Sequence, residues 1–302
     1  MATTTTTRTD LYESITQRVI EGLQQRGLSW FRPWGGADDA PMNWATKTRY
    51  RGVNVFLLNA AMTDFGFTAN EWMTFKQASE AGGKVAKGSK STCVIYWVVS
   101  YLHTETGKWY SEAELKKAGI NKSECDERWT LRSYNVFNVA QVEGLDPRRV
   151  APTSEEFTPA TGWEWVWEGY ANRPTLNHGG NKAYYRPSAD RIQMPEATTF
   201  VAGEAYAHTL FHEMIHSTGH ATRLKRAGVV DVQGFGTDSY AQEELVAEIG
   251  AEYLSALAGV EWRADQSQAY INGWVKQLKD HPRMVVYAAQ QASAAVEHIL
   301  GN

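Results

Sequence analysis

The sequence predicts two α+β domains, the first a small sheet with helices, the second mostly helical with a short sheet. Three observations carry that prediction. The segments CVIYWVVSYL and WTLRSYNVFNV, both before residue 146, are rich in β-branched and aromatic residues and read as strands. After a short strand-like pattern around AYYRPSADRIQMP, the chain reads as helices to its end. Between these regions DPRRVAPTSEEFTPATG, residues 146–162, is rich in Pro, Thr and charge and reads as a linker. The expected boundaries are a tail at 1–9, a first domain at 10–145, the linker, and a second domain at 163–302.

Taken in order, the Thr-rich start is followed by Asp10, which can cap a helix running to about Arg26. Leu11, Ile15, Val19 and Leu23 recur every fourth residue and give that helix one apolar stripe. Gly27 suits its stop. Pro33, Gly35, Gly36 and Pro41 argue against regular structure in the aromatic stretch that follows. NVFLLNAAM reads as a buried helix, EWMTFKQASE (71–80) as a helix, and GGKVAKGSK (82–90) as a Gly/Lys loop before the two strands. No internal repeat is present.

Composition narrows the class. The chain has 302 residues, 43% hydrophobic and 21% charged, as in ordinary globular proteins. Its two cysteines, Cys93 and Cys125, have no ligand-like spacing, so a disulfide framework is not expected and a reducing compartment fits. The start lacks the apolar core of a signal peptide, and no run approaches the ~18 apolar residues of a membrane span. The expected location is the cytoplasm, with no membrane partner. The net charge of −4 is uneven: residues 1–150 hold 19 Lys+Arg against 16 Asp+Glu, the remainder 11 against 18. Seven of the twelve tryptophans also fall in the first half, which suggests different tasks for the two halves.

The strongest motif is HEMIHSTGH, residues 212–220. His212 and His216 are four apart, so a helix places both imidazoles on one face, where one metal ion can accept both. A divalent ion lowers the pKa of a water, and Glu213 between the histidines can take its proton. Gly219 can end the helix. A second helix, SYAQEELVAEIGAEYLSALAG, brings acids at 243, 244, 248 and 252. In the gluzincin plan a glutamate from a following helix completes the ligand set and an acid one turn later steadies a ligand histidine. Glu244 fits the first role and Glu248 the second. Glu243 is the rival, because periodicity does not fix the helix rotation. His220 is the other: in a metzincin the third histidine falls six residues after the second, and here it falls four after. His208 reads as a core histidine. Tyr184, Tyr185, Arg186 and Tyr240 are candidates for an oxyanion donor. Zinc is the expected ion, with manganese or another divalent ion as alternatives.

The first half interleaves rings and cations: Trp30, Arg32, Trp34, Trp44, Lys47, Arg49, Tyr50 and Arg51, then Lys84, Lys87 and Lys90 on the glycine-rich loop. Single-stranded nucleic acid is held by this combination, cations on phosphates and flat rings under bases. A core with a snorkelling basic rim uses the same residues.

Several long segments in order resemble one family. SWFRPW, PMNWATKTRYRGVNVFLL, EWMTFKQASEAGGKVAKGSKS and VFNVAQVEGL look like the single-stranded-DNA-binding domain of ArdC-type antirestriction proteins of conjugative plasmids. GGNKAYYRPSADRIQMPE, HTLFHEMIHSTGHATRL and YAQEELVAEIGAEYL look like that family's zincin-like domain. The resemblance implies a protein that binds single-stranded DNA and protects incoming plasmid DNA from restriction during conjugation. A host restriction-system protein would be its substrate or target, and the recipient cell its place of action. Two other readings stay open: a binding protein that occludes DNA around a structural metal, and a metal-dependent nuclease.

Overall fold

A computed structural model describes residues 8–26, 40–148, 163–231, 238–261 and 268–301. Helix α1 spans Arg8–Arg26. Its expected stripe is its buried face: Ile15, Val19 and Leu23 are in the core and Leu11 packs at the edge. Gly27, its expected stop, lies outside the described residues. Strand β1 (Met42–Asn43) and helix α2 (Val53–Phe65) follow. The segment expected as one helix over 71–80 is instead strand β2 (Glu71–Met73) and helix α3 (Phe75–Glu80). Thr74 is the reason. Its hydroxyl accepts from the Gln77 N–H while the Gln77 side chain accepts from the Thr74 N–H, a capping box that starts the helix at residue 75. The residues before it join the sheet, where Trp72 and Met73 are fully buried.

Strand β3 (Lys84–Val85) lies within the expected Gly/Lys loop, and the two long expected strands are β4 (Thr92–His103) and β6 (Cys125–Asn138). Between them sit β5 (Trp109–Tyr110) and α4 (Glu112–Ala118), a segment the sequence reading passed over; a Ser111–Glu114 capping box marks its helix. Strand β7 (Val142–Glu143) pairs with β3. The main sheet has the order β1-β2-β6-β4-β5, with β4 and β6 antiparallel from Thr92↔Val136 to His103↔Cys125. Asn54 of α2 fixes the sheet to the helix: its amide donates to the Ile95 carbonyl (2.8 Å) and accepts from the Ile95 N–H (2.7 Å).

The second half opens with α5 (Glu164–Gly169), then β8 (Thr175–His178), β9 (Tyr184–Arg186) and β10 (Arg191–Met194), a sheet in the order β8-β10-β9. Helices α6 (Gly203–Thr218), α7 (Ala227–Val230), α8 (Asp238–Ala258), α9 (Gln268–Asp280) and α10 (Met284–Leu300) complete it. The architecture is α+β, with a mostly helical second half. No helix among the described residues is long and apolar enough to cross a membrane.

The core does not stop at the linker. One apolar cluster joins Val19 and Leu23 of α1 and Phe56 of α2 to Phe211 of α6, Leu254 of α8 and Leu278 of α9. The Phe56 and Tyr253 rings meet at 5.5 Å. Gly52 ties the two halves together at the seam. Its N–H donates to Ser293 of α10 (2.9 Å) and its carbonyl accepts from the Tyr253 hydroxyl of α8 (3.2 Å). Its φ is +59°, and a Cβ there would stand 3.6 Å from the Gln290 Cα. The positive φ favours glycine there, while a Cβ would make only ordinary van der Waals contact with α10. Gly52→Val is expected to cost about 1–3 kcal/mol, read as a lower midpoint in thermal denaturation; an unchanged midpoint would contradict this account of the seam.

Candidate metal centre and nucleic-acid surface

Helix α6 carries the histidine pair and α8 the acids. The two helices touch where Gly250 lies against Ile215: a Cβ at residue 250 would stand 2.6 Å from the Ile215 Cδ1. That missing side chain lets the start of α8 close over the histidine face of α6. The Nε2 atoms of His212 and His216 are 3.1 Å apart. The Glu244 carboxylate faces both, its two oxygens each 3.6 Å from one Nε2. All three donors fall within 4.8 Å of one another.

The far nitrogens are also engaged. His212 Nδ1 lies 3.6 Å from Glu248. His216 Nδ1 lies 3.1 Å from Glu243, the rival for the ligand position, which therefore sits behind the histidine and not in front of it. Glu243 is in turn gripped by Arg226, whose Nε and Nη2 donate to its two oxygens at 2.9 and 2.6 Å. Both members of that ion pair are buried. No motif flagged Arg226: it lies in a turn segment seventeen residues before its partner. Arrangements of this kind set which imidazole nitrogen is bare, since an Nδ1–H directed at a carboxylate leaves Nε2 as an acceptor.

The electrostatics of the site favour positive charge. Burial works against charge on His212, yet the hydrogen-bonded Glu244 and Glu248 carboxylates outweigh it and hold its pKa up at about 10. Burial likewise raises Glu244, but His212 and His216 bring it down to about 2. Glu243 and Glu248 are also lowered against their burial, by Arg226 with His216 and by His212 respectively. Three carboxylates around two imidazoles are thus held as anions that want positive charge between them. The donor spacing fits a small divalent ion. Metal–nitrogen bonds of about 2.0–2.1 Å at a tetrahedral angle put two nitrogens about 3.3 Å apart, close to the 3.1 Å found.

Glu213 follows His212 on α6 and is buried. The Tyr240 hydroxyl hydrogen-bonds Glu244, and burial with that carboxylate pushes its pKa up. Tyr185 is committed elsewhere, donating to Asp190 at 2.8 Å, and Arg186 reaches Tyr184. His220 also stands apart: its Nδ1 pairs with the Thr222 hydroxyl at 2.8 Å and it joins neither metal-capable cluster among the described residues. His208 is a buried histidine, as expected, with Nδ1 on Ser255 at 3.0 Å; its cluster includes Glu248 and Glu252.

Of the first-half residues, Trp30, Arg32 and Trp34 lie outside the described residues. Trp44, expected to stack on bases, is instead a core residue. Its indole N–H donates to the Asp146 carbonyl (3.0 Å) and the Arg148 guanidinium lies 3.8 Å over its ring. Residues 146–148, at the start of the expected linker, are therefore docked on the first half. Lys47, Arg49 and Arg51 are exposed. Lys47 sits at φ +61° in a turn held by the Asn43 side chain, which accepts from the N–H groups of Ala45 and Thr46. Lys84 on β3 and Lys87 and Lys90 just after it are exposed apart from these.

Comparison with known proteins places this geometry. The model for a zincin-like metallopeptidase family matches residues 170–291, and the model for the N-terminal domain of anti-restriction factor ArdC matches residues 9–137. The chain is 34% identical over 297 residues to DNA primase TraC of Escherichia coli, a match covering 96% of this chain but only 20% of that protein. It is 32% identical over 300 residues to the uncharacterized protein y4eC of Sinorhizobium fredii, covering 95% of this chain and 90% of that one. Crystal structures of the antirestriction protein ArdC from plasmid R388, metal-free and Mn(II)-bound, both superpose with a TM-score of 0.72 at 31% identity. The metal-free match covers 96% of each chain.

Proposed function

Because the chain belongs to the ArdC family of antirestriction proteins, we propose that it binds incoming single-stranded plasmid DNA and carries a metallopeptidase centre, and so protects that DNA from host restriction during conjugation. Residues 10–145 are the DNA-binding domain in this reading, and residues 163–302 the metallopeptidase domain. One observation carries the hydrolytic part: two Nε2 atoms and the Glu244 carboxylate converge on one point, with a carboxylate behind each histidine. His212, His216 and Glu244 would hold the ion. Two nitrogens and one carboxylate suit zinc; manganese is the alternative, supported by the Mn(II)-bound relative. A divalent ion supplies Lewis acidity toward water and toward a carbonyl oxygen.

The chain's own residues do the rest. Glu243 and Glu248 orient the histidines. Glu213 takes the proton of the attacking water and returns it to the leaving amine. The Tyr240 hydroxyl, one helical turn before Glu244 and hydrogen-bonded to it, would donate to a developing oxyanion if it turned from that carboxylate. The peptide cut belongs to a host restriction-system protein in this reading. Exposed Lys84, Lys87, Lys90, Arg49 and Arg51 supply phosphate contacts in the first half.

The test is plasmid transfer into a restricting recipient at matched expression of wild type and Glu213→Ala. The variant keeps all three proposed ligands. Transfer is expected to fall to the level seen without the protein. Transfer at the wild-type level would remove hydrolysis from the function and leave DNA occlusion around a structural metal.

A further inference from the structure

A cavity of about 790 Å³ opens at the seam between the halves. It lies within the range of about 300–1,000 Å³ typical of small-ligand sites. Its walls come from three places. The turn after β1 contributes Arg49 and Tyr50, the β4–β6 pair contributes Tyr96 and Tyr134, and α10 contributes Gln290 and Glu297. Tyr96 is 46% exposed and meets Tyr134 in an edge-to-face contact at 5.5 Å, which leaves part of its ring accessible to a planar ligand. The wall is stiff. Tyr50 and Tyr134 hydrogen-bond each other, Asn54 clamps the backbone next to Tyr96, and Gly52 pins the loop to α10. Arg49 is an exposed cation at the rim, and Arg51 stands beside it with Nε on Glu297 at 2.8 Å.

We infer that this cavity seats a base of single-stranded DNA on Tyr96 with the adjoining phosphate on Arg49, so that the bound strand crosses from the first half onto α10. The inference rests on the single-strand-binding reading above and adds the place and a contribution from the second half. Aromatic faces beside cations take any base, because every base offers a π face, and a rigid tyrosine pair loses little entropy on stacking. The polar tip of Gln290, exposed on the opposite wall, can reach a base edge or sugar. A protein partner would want a broader apolar patch than two part-exposed tyrosines provide.

The experiment is fluorescence anisotropy of a labelled oligo-dT with the full chain, at several salt concentrations. Tyr96→Ala is expected to weaken binding roughly 5- to 150-fold, the range for one lost stacking ring, while Tyr96→Phe binds as wild type. Arg49→Gln is expected to lower the slope of log affinity against log salt by about one. Gln290→Glu, on α10, is expected to weaken binding although it lies in the second half. Wild-type binding with all of these variants unchanged would overturn the cavity while leaving the single-strand reading intact. Failure of the wild type to bind oligo-dT would sink the reading itself, and the cavity with it.

Discussion

Arg226→Met is expected to destabilise the metal-free protein by about 3–5 kcal/mol, the cost of leaving one partner of a buried ion pair without the other. The size of the effect follows from the surroundings. Glu243 is 5% exposed and Arg226 6%. The guanidinium meets both carboxylate oxygens and also donates to the Ile215 carbonyl at 2.7 Å. Methionine fills the volume but supplies no donor, so Glu243 must either stay charged with only His216 beside it or take up a proton. The double variant Arg226→Met with Glu243→Gln removes the stranded charge and is expected to recover part of the loss. Chemical denaturation of the three proteins checks this. A single variant as stable as wild type, or a double variant no better than the single, would contradict the account.

Glu244→Ala is expected to produce the largest change in metal affinity. Removing a group behind a ligand histidine costs roughly 10–100-fold, and removing a ligand should exceed that. Titrating zinc and manganese into chelator-treated protein by calorimetry therefore gives an order: Glu244→Ala weakest, Glu248→Gln and Glu243→Gln intermediate, wild type tightest. Each acid is assigned by the nitrogen it faces, since Glu244 lies on the Nε2 side of both histidines while Glu248 and Glu243 lie on the Nδ1 sides. If Glu243→Gln proves worse than Glu244→Ala, the two acids have been assigned the wrong way round.

Much of this site was legible because its spacing is local. His212 and His216 need only one helical turn to meet, and Glu244 with Glu248 repeats that interval on the next helix. Which acid faces the two Nε2 atoms was not legible. Glu243 and Glu244 differ by one residue's rotation about α8, and that rotation is fixed by tertiary packing, the contact of Gly250 with Ile215 among it. Arg226 left no trace in the sequence, because its partner is distant and its segment is an ordinary turn. In the fold, α1 and α2 followed from apolar recurrence. The run at 71–80 misled because its composition suits a helix, while the Thr74 capping box places the helix start after the buried Trp72. Trp44 misled in the other direction: an indole among cations reads the same whether its face is open or covered, and Arg148, at the start of the linker, is what covers it.

The apolar cluster that runs across both halves has a consequence for inheritance. A segment can move between genes as a working part only if its cut ends leave no apolar face bare. Here a cut within 146–162 would expose the side of α9 and α10 that α1 covers, and the side of α2 that rests on α8 and α10. Neither piece would keep a closed interior. The two halves share one interior, so selection acting on the packing of either half would be felt by the other.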